Sequence, residues 1–320
     1  MSTDNSSFAR QVLYGRTDER LRATWRVVLS FAVFLSTLIA ASTLFGRIPF
    51  PELLLSAGST LAVFLAVGVL LVVGIRFVGQ RSLDSYGLSL DRRWWLDAAG
   101  GVIAGFLFQG VVTALLFAFG SGRLVGTFSP GVADGPVTVA VAFGATVLAL
   151  LAVALWEELL FRGVLIQNTL EGLAARGVTR RTGVGIALLG SALVFGLPHA
   201  TAAAEGASVG FAVFQAVVAG LYFGLAYLLT DSLAFPIGLH LSTNLWVASV
   251  FGQPDSAFPA LLLLERDLQA DPEGVAVVLV PSVVLVGLII AWVRLTRGDV
   301  SVADSLSLPP GGTPDEAIAD

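Results

Sequence analysis

The chain has 320 residues, 56% of them hydrophobic and 13% charged, with a mean hydropathy of +0.85. Soluble globular domains carry about a quarter charged residues, so this composition excludes one and points to a multi-pass protein of the cell membrane. The net charge is −5, every basic residue is an arginine, and there is no cysteine. That excludes a basic field for nucleic acid, a disulfide, a thiolate nucleophile and a cysteine metal site.

Residues 1–26 are polar and hold Arg10, Arg16, Arg20, Arg22 and Arg26. No apolar core follows at signal-peptide distance, so a retained cytoplasmic N-terminal segment is expected. Apolar segments then follow at 27–45, 53–75, 97–119, 137–157 (continuing as a helix to about 170), 183–200, 208–229, 233–251 and 274–293. Runs of about 20 apolar residues match a hydrocarbon core of about 30 Å when helical. Helices satisfy their own backbone polar groups in lipid. The expected fold is therefore all-α: a polytopic transmembrane bundle of about eight spans over 27–294. Between spans 7 and 8, the run Ala260–Leu264 reads as an interfacial segment of an external loop. Residues 295–320, acidic and Pro/Gly-bearing, read as a disordered cytoplasmic tail.

Arginine placement sets the orientation. Besides the N-terminal five, Arg76, Arg81, Arg92, Arg93, Arg176, Arg180, Arg181, Arg294 and Arg297 fall on the side of the N-terminus; only Arg47, Arg123 and Arg266 fall on the other. Both termini are thereby placed in the cytoplasm, in agreement with an even number of spans.

Away from span edges, the ionisable side chains inside the membrane segments are Glu157, Glu158, Arg162, His199 and His240. Such groups are costly in lipid and mark function by default; the plainer reading is helix-to-helix pairing. Glu158 and Arg162 are four apart and share a helical face, so they can form an ion pair. Glu157 is turned by about 100° from Glu158. It escapes that pair and suits a general base. Arg162 then has a structural role. Phe195 shares a face with His199 and can wall a cavity, and Pro198 can bend the helix beside the histidine. His240 and Asn244 share a face. They can donate hydrogen bonds to a developing oxyanion, or ligate a metal and orient its ligand.

In order, the motifs Glu157-Glu158-x-x-x-Arg162, Phe195-x-x-x-His199 and His240-x-x-x-Asn244 resemble those of the CPBP family, the type II CAAX prenyl endopeptidase and bacteriocin-processing intramembrane proteases. Each motif is short, but three in this order, in separate apolar spans, make a specific signal over residues 137–250. The resemblance implies an intramembrane endopeptidase acting on membrane-associated peptide or protein substrates. It assigns Glu157 and His199 to water activation and His240 and Asn244 to the oxyanion, with Glu158 beside them and Arg162 and Phe195 in support. Two accounts stay open: a zinc ion held by His199, His240 and Glu157, or a metal-free glutamate mechanism. A proton-coupled transporter and a non-catalytic immunity or scaffold protein are the alternative functions.

Two further expectations concern position. The glutamates near the inner end of span 4 predict a polar cavity opening to the cytoplasm. The same boundaries place His199 about 24 Å from the level of Glu157 along an upright helix. Only different helix limits could bring the two together.

Overall fold

The computed structural model describes residues 10, 12–15, 20–49, 57–201 and 208–303. They form a helical membrane bundle with a small sheet at one end. Eight helical rods follow in order: α1 (Ala23–Phe45), α2 (Ala57–Val69, extended by a π-helical stretch Leu70–Gly79), α3 (Arg92–Ala118), α4 (Pro136–Ala174), α5 (Arg180–Gly196), α6 (Val209–Thr230), α7 (Ala234–Leu245, extended by a π-helical turn Trp246–Val250) and α8 (Pro272–Arg297). The strands are β1 (Gly122–Gly126), β2 (Phe251–Gly252) and β3 (Leu262–Arg266).

Helix starts follow the capping rules. Asp91 accepts from Trp94 N at 2.8 Å before α3, and Asp271 accepts from Gly274 N at 2.7 Å before α8. Each side chain satisfies a backbone N–H that the helix itself leaves unpaired. Pro136 and Pro272 occupy first-turn positions, where the missing donor costs nothing. Outward faces carry exposed Leu35, Ile39, Ile103, Leu107, Leu193 and Val283, as a lipid-facing surface requires.

Seven of the rods are long and apolar enough to cross a membrane by length and composition. The eighth, α7, with its π-helical turn, occupies the segment expected at 233–251. It lies at the centre of the bundle, with nearly every residue from Ala234 to Thr243 buried. Glycines let α3 close on it. A Cβ on Gly101 would stand 2.1 Å from the Phe235 carbonyl oxygen, and one on Gly238 2.1 Å from that of Ala98. A Cβ on Gly105 would lie 2.0 Å from Ser242 Oγ. This is small-residue packing, in which backbones approach because nothing stands between them.

Span 4 continues as a helix past its apolar run, as expected, and runs from Pro136 to Ala174, placing the glutamates mid-rod. With α5 it forms an antiparallel hairpin turning at 175–179. Glu157 lies 17 residues before Ala174 and His199 lies 19 after Arg180. At 1.5 Å per residue both sit roughly 25–28 Å from the turn. The expected vertical offset disappears. Ser191 Oγ donates to the Phe161 carbonyl at 2.8 Å and fixes this register.

The arginine-rich end of the bundle is tied by buried ion pairs. Glu171 on α4 accepts from Arg20 at 2.9 Å and Arg26 at 2.6 Å, and also from Arg81. Asp97 on α3 accepts from Arg297 at 2.7 Å and from Trp292 Nε1 at 2.8 Å. The chain after α8 stays on the bundle: Ala303 N donates to the Leu228 carbonyl at 3.1 Å. The rest of the predicted tail, 304–320, lies outside the described residues, as do 1–9 of the N-terminal segment.

At the opposite end, β3 pairs antiparallel with β1 and parallel with β2. Leu262–Arg266 is thus a central strand, where an interfacial stretch was expected from Ala260–Leu264. Its backbone groups find partners in a segment far away in sequence.

Candidate active site

α4 supplies both glutamates and Arg162. The helix changes to π-helical geometry at Leu159–Ile166, directly after them; π segments are rare and are frequent at functional sites. Glu158 and Arg162 are fully buried and form the predicted pair, Arg162 Nη1 donating to Glu158 Oε1 at 3.1 Å. The guanidinium lies 4.4 Å above the Phe195 ring and 5.0 Å from the Phe223 ring. Two aromatic faces and one carboxylate thus hold a cation that lipid alone could not.

α7 carries His240 against the same carboxylate. His240 Nδ1 lies 2.7 Å from Glu158 Oε1, so this nitrogen is the donor and Nε2 faces away. Phe223 stacks on the imidazole at 4.8 Å with an interplanar angle of 20°. Glu157 Oε2 lies 3.7 Å from His240 Nε2. That is beyond direct hydrogen-bond length and within reach of a bridging water.

His199 arrives on the other wall. α5 ends at Gly196 and tightens into a 3₁₀ turn over Leu197–Thr201, the change expected from Pro198. Its Nδ1 lies 3.0 Å from the Phe195 carbonyl oxygen, which makes Nδ1 the donor and leaves Nε2 for chemistry. The Phe195 and His199 rings sit 5.0 Å apart. Glu157 is within electrostatic reach of both histidines. Glu157 and His199 form no direct ion pair, and the expected water-activating role requires none. The carboxylates at ion-pair distance from a histidine are Glu157 and Glu158, both against His240, among the described residues.

His199, His240 and Asn244 line a cavity of about 790 Å³, walled by Phe108, Leu116, Leu150 and Val277. Its far end is formed by Gln253, Asp255 and Arg266, in the segment that carries β2 and β3. The cavity therefore extends toward the sheet end of the bundle, away from the arginine-rich turns. This corrects the expected cytoplasmic opening. The glutamates sit mid-rod, and the space beside the histidines lies between α3, α6, α7 and α8.

Among the described residues, no group of three His, Asp or Glu side chains is gathered closely enough to hold a metal ion. The set His199, His240 and Glu157 does not fit zinc as it stands, and no step below passes through a metal.

Two participants had no sequence signal. Phe223 is one aromatic among many in an apolar span, and nothing in its spacing distinguishes it from core. Gly220 lends its carbonyl to Arg162 Nη2 at 3.5 Å, a role that only tertiary packing creates.

The bundle is that of a multi-pass membrane protein, with two imidazoles and a carboxamide lining one cavity and two glutamates packed behind His240. Residues 138–246 match the family model of Rce1-like proteins, the type II CAAX prenyl endopeptidases. This stretch holds all three motifs and is similar to that family, whose CPBP pattern they resemble. No curated protein and no solved structure matches the chain.

Proposed function

We propose that the protein is an intramembrane endopeptidase that hydrolyses peptide bonds of membrane-associated substrates by a metal-free glutamate mechanism. The observation that carries this reading is the position of Glu157: 3.7 Å from His240 Nε2, outside the Glu158–Arg162 pair, and within electrostatic reach of His199.

Glu157 accepts a proton from a water held between its carboxylate and the histidines. The resulting hydroxide attacks the peptide carbonyl carbon. The carbonyl oxygen becomes an oxyanion, stabilised by the Asn244 amide N–H and by His240 Nε2–H when the imidazole carries both ring protons. Glu157 then returns the proton to the leaving amine as the C–N bond breaks. Glu158 does not exchange protons. It holds His240 through Nδ1 and neutralises Arg162. Positive-inside orientation places the sheet end of the cavity on the extracytoplasmic side, so substrates reach the histidines from that face.

The test is reconstitution of the purified protein with a panel of membrane-anchored peptides and mass analysis of the products. New peptide termini that require Glu157 support the reading. Absence of cleavage together with proton or solute flux across the vesicles would favour a transporter instead.

A further inference from the structure

The cavity ends in a cation that forms no ion pair among the described residues. Arg266 closes β3 and lines the cavity at the end away from the histidines. Side chains alternate along a strand. Leu264 and Arg266 therefore face one side, and Leu264 packs there with Leu116 and Val277, two residues of the cavity wall. Glu265 faces the other side, where it pairs with Arg123 at 2.7 Å.

Arg266 is half-buried. Its Nη2 donates to the Phe251 carbonyl at 2.5 Å, a neutral acceptor. A guanidinium has five N–H donors, so most of its capacity points elsewhere. Burial pulls its pKa below the ordinary arginine value, and no neighbouring carboxylate offsets this. Asp255 shares the lining but is exposed to solvent. Half-burying a cation without a partner is unfavourable. A ligand that brings an anion into the cavity would relieve that cost. The walls between Arg266 and the histidines are mostly apolar, with Gln109, Thr113, Gln215 and Ser282 among them, so a fitting ligand is a largely apolar segment bearing one carboxylate. Guanidinium and carboxylate match in a two-bonded fork.

We propose that Arg266 is a specificity-determining residue that receives a carboxylate of the substrate, while the substrate's apolar side chains fill the cavity up to the histidines. The identification of the ligand as a peptide rests on the protease reading above. The carboxylate can be a free C-terminus or an acidic side chain.

Binding separates this inference from catalysis. The probes are three synthetic apolar peptides of one sequence: a free C-terminal acid, its C-terminal amide, and an amide with one internal glutamate. Affinities are measured on detergent-solubilised Glu157→Gln protein, and on the same protein with Arg266→Gln or Arg266→Lys. At least one carboxylate peptide should bind about tenfold or more tightly than the plain amide. The better of the two identifies the source of the carboxylate. Arg266→Gln should abolish the preference and Arg266→Lys should keep part of it. If Arg266→Gln does not fold, a salt titration replaces it: added salt should weaken the preferred peptide and spare the amide. Equal affinities for all three peptides, no binding of any, or a preference that survives Arg266→Gln overturns the proposal. Cleavage by the wild-type protein is scored separately. Selective binding without any cleavage sinks the protease reading and leaves the carboxylate role of Arg266 standing.

Discussion

His240 Nδ1 donates to Glu158 Oε1 at 2.7 Å, across two helices that are 82 residues apart in sequence. The same oxygen accepts from Arg162 at 3.1 Å. One buried carboxylate thus fixes the orientation of an imidazole and neutralises a guanidinium. Glu157, one residue earlier, stays outside this pair, 3.7 Å from His240 Nε2.

Replacing Glu158 by glutamine should therefore affect two readouts together. The amide keeps the shape but cannot neutralise Arg162, and breaking a buried pair costs on the order of 3–5 kcal/mol. Thermal unfolding in detergent should fall markedly, with turnover falling as His240 loses its anchor. Unchanged stability for Glu158→Gln would show that the pair does not support the fold.

Arg162 touches Glu158, Phe195 and Phe223 and is fully buried. Arg162→Ala should leave Glu158 buried and uncompensated, again a loss of about 3–5 kcal/mol. Low yield of folded protein is the expected result. A stable, fully folded but inactive Arg162→Ala protein would instead make the arginine catalytic.

The close approach of α3 and α7 makes a sharp prediction about glycines. Gly238→Ala places a methyl 2.1 Å from the Ala98 carbonyl oxygen, so the helices must separate. Overpacking of this kind typically costs about 1–3 kcal/mol or more. Gly144→Ala on α4 meets nothing within 4 Å and should be neutral. Comparable unfolding temperatures for the two variants would contradict the packing account.

Much of this was legible in the sequence, and the failures have physical causes. Hydropathy located the helices because lipid-facing residues must be apolar whatever the packing. It located α7 as well, although that helix is enclosed by its neighbours and largely buried. It carried the helix of span 4 on past Glu157 to about 170, close to the Ala174 where it ends. β3 was missed because its partners, β1 and β2, lie elsewhere in the chain. The i, i+4 facing argument gave the Glu158–Arg162 pair correctly. It could not give the Glu158–His240 bond, which depends on how α4 meets α7.

If the mechanism is metal-free, exhaustive treatment with a chelator should leave turnover unchanged within about twofold, and added zinc should not raise it. Metal analysis of the active protein should find less than stoichiometric zinc. Loss of activity on chelation, restored by zinc, would mean that His199, His240 and Glu157 close into a ligand set when a metal is present.

The central claim is that Glu157 is the general base, and paired measurement of turnover and unfolding temperature for Glu157→Gln tests it most directly. The side chain keeps its size and lies outside the buried ion pair, so the unfolding temperature and substrate affinity should match wild type. Removing the base should lower turnover by about 10² to 10⁴. Turnover close to wild type in a well-folded Glu157→Gln protein would contradict the assignment.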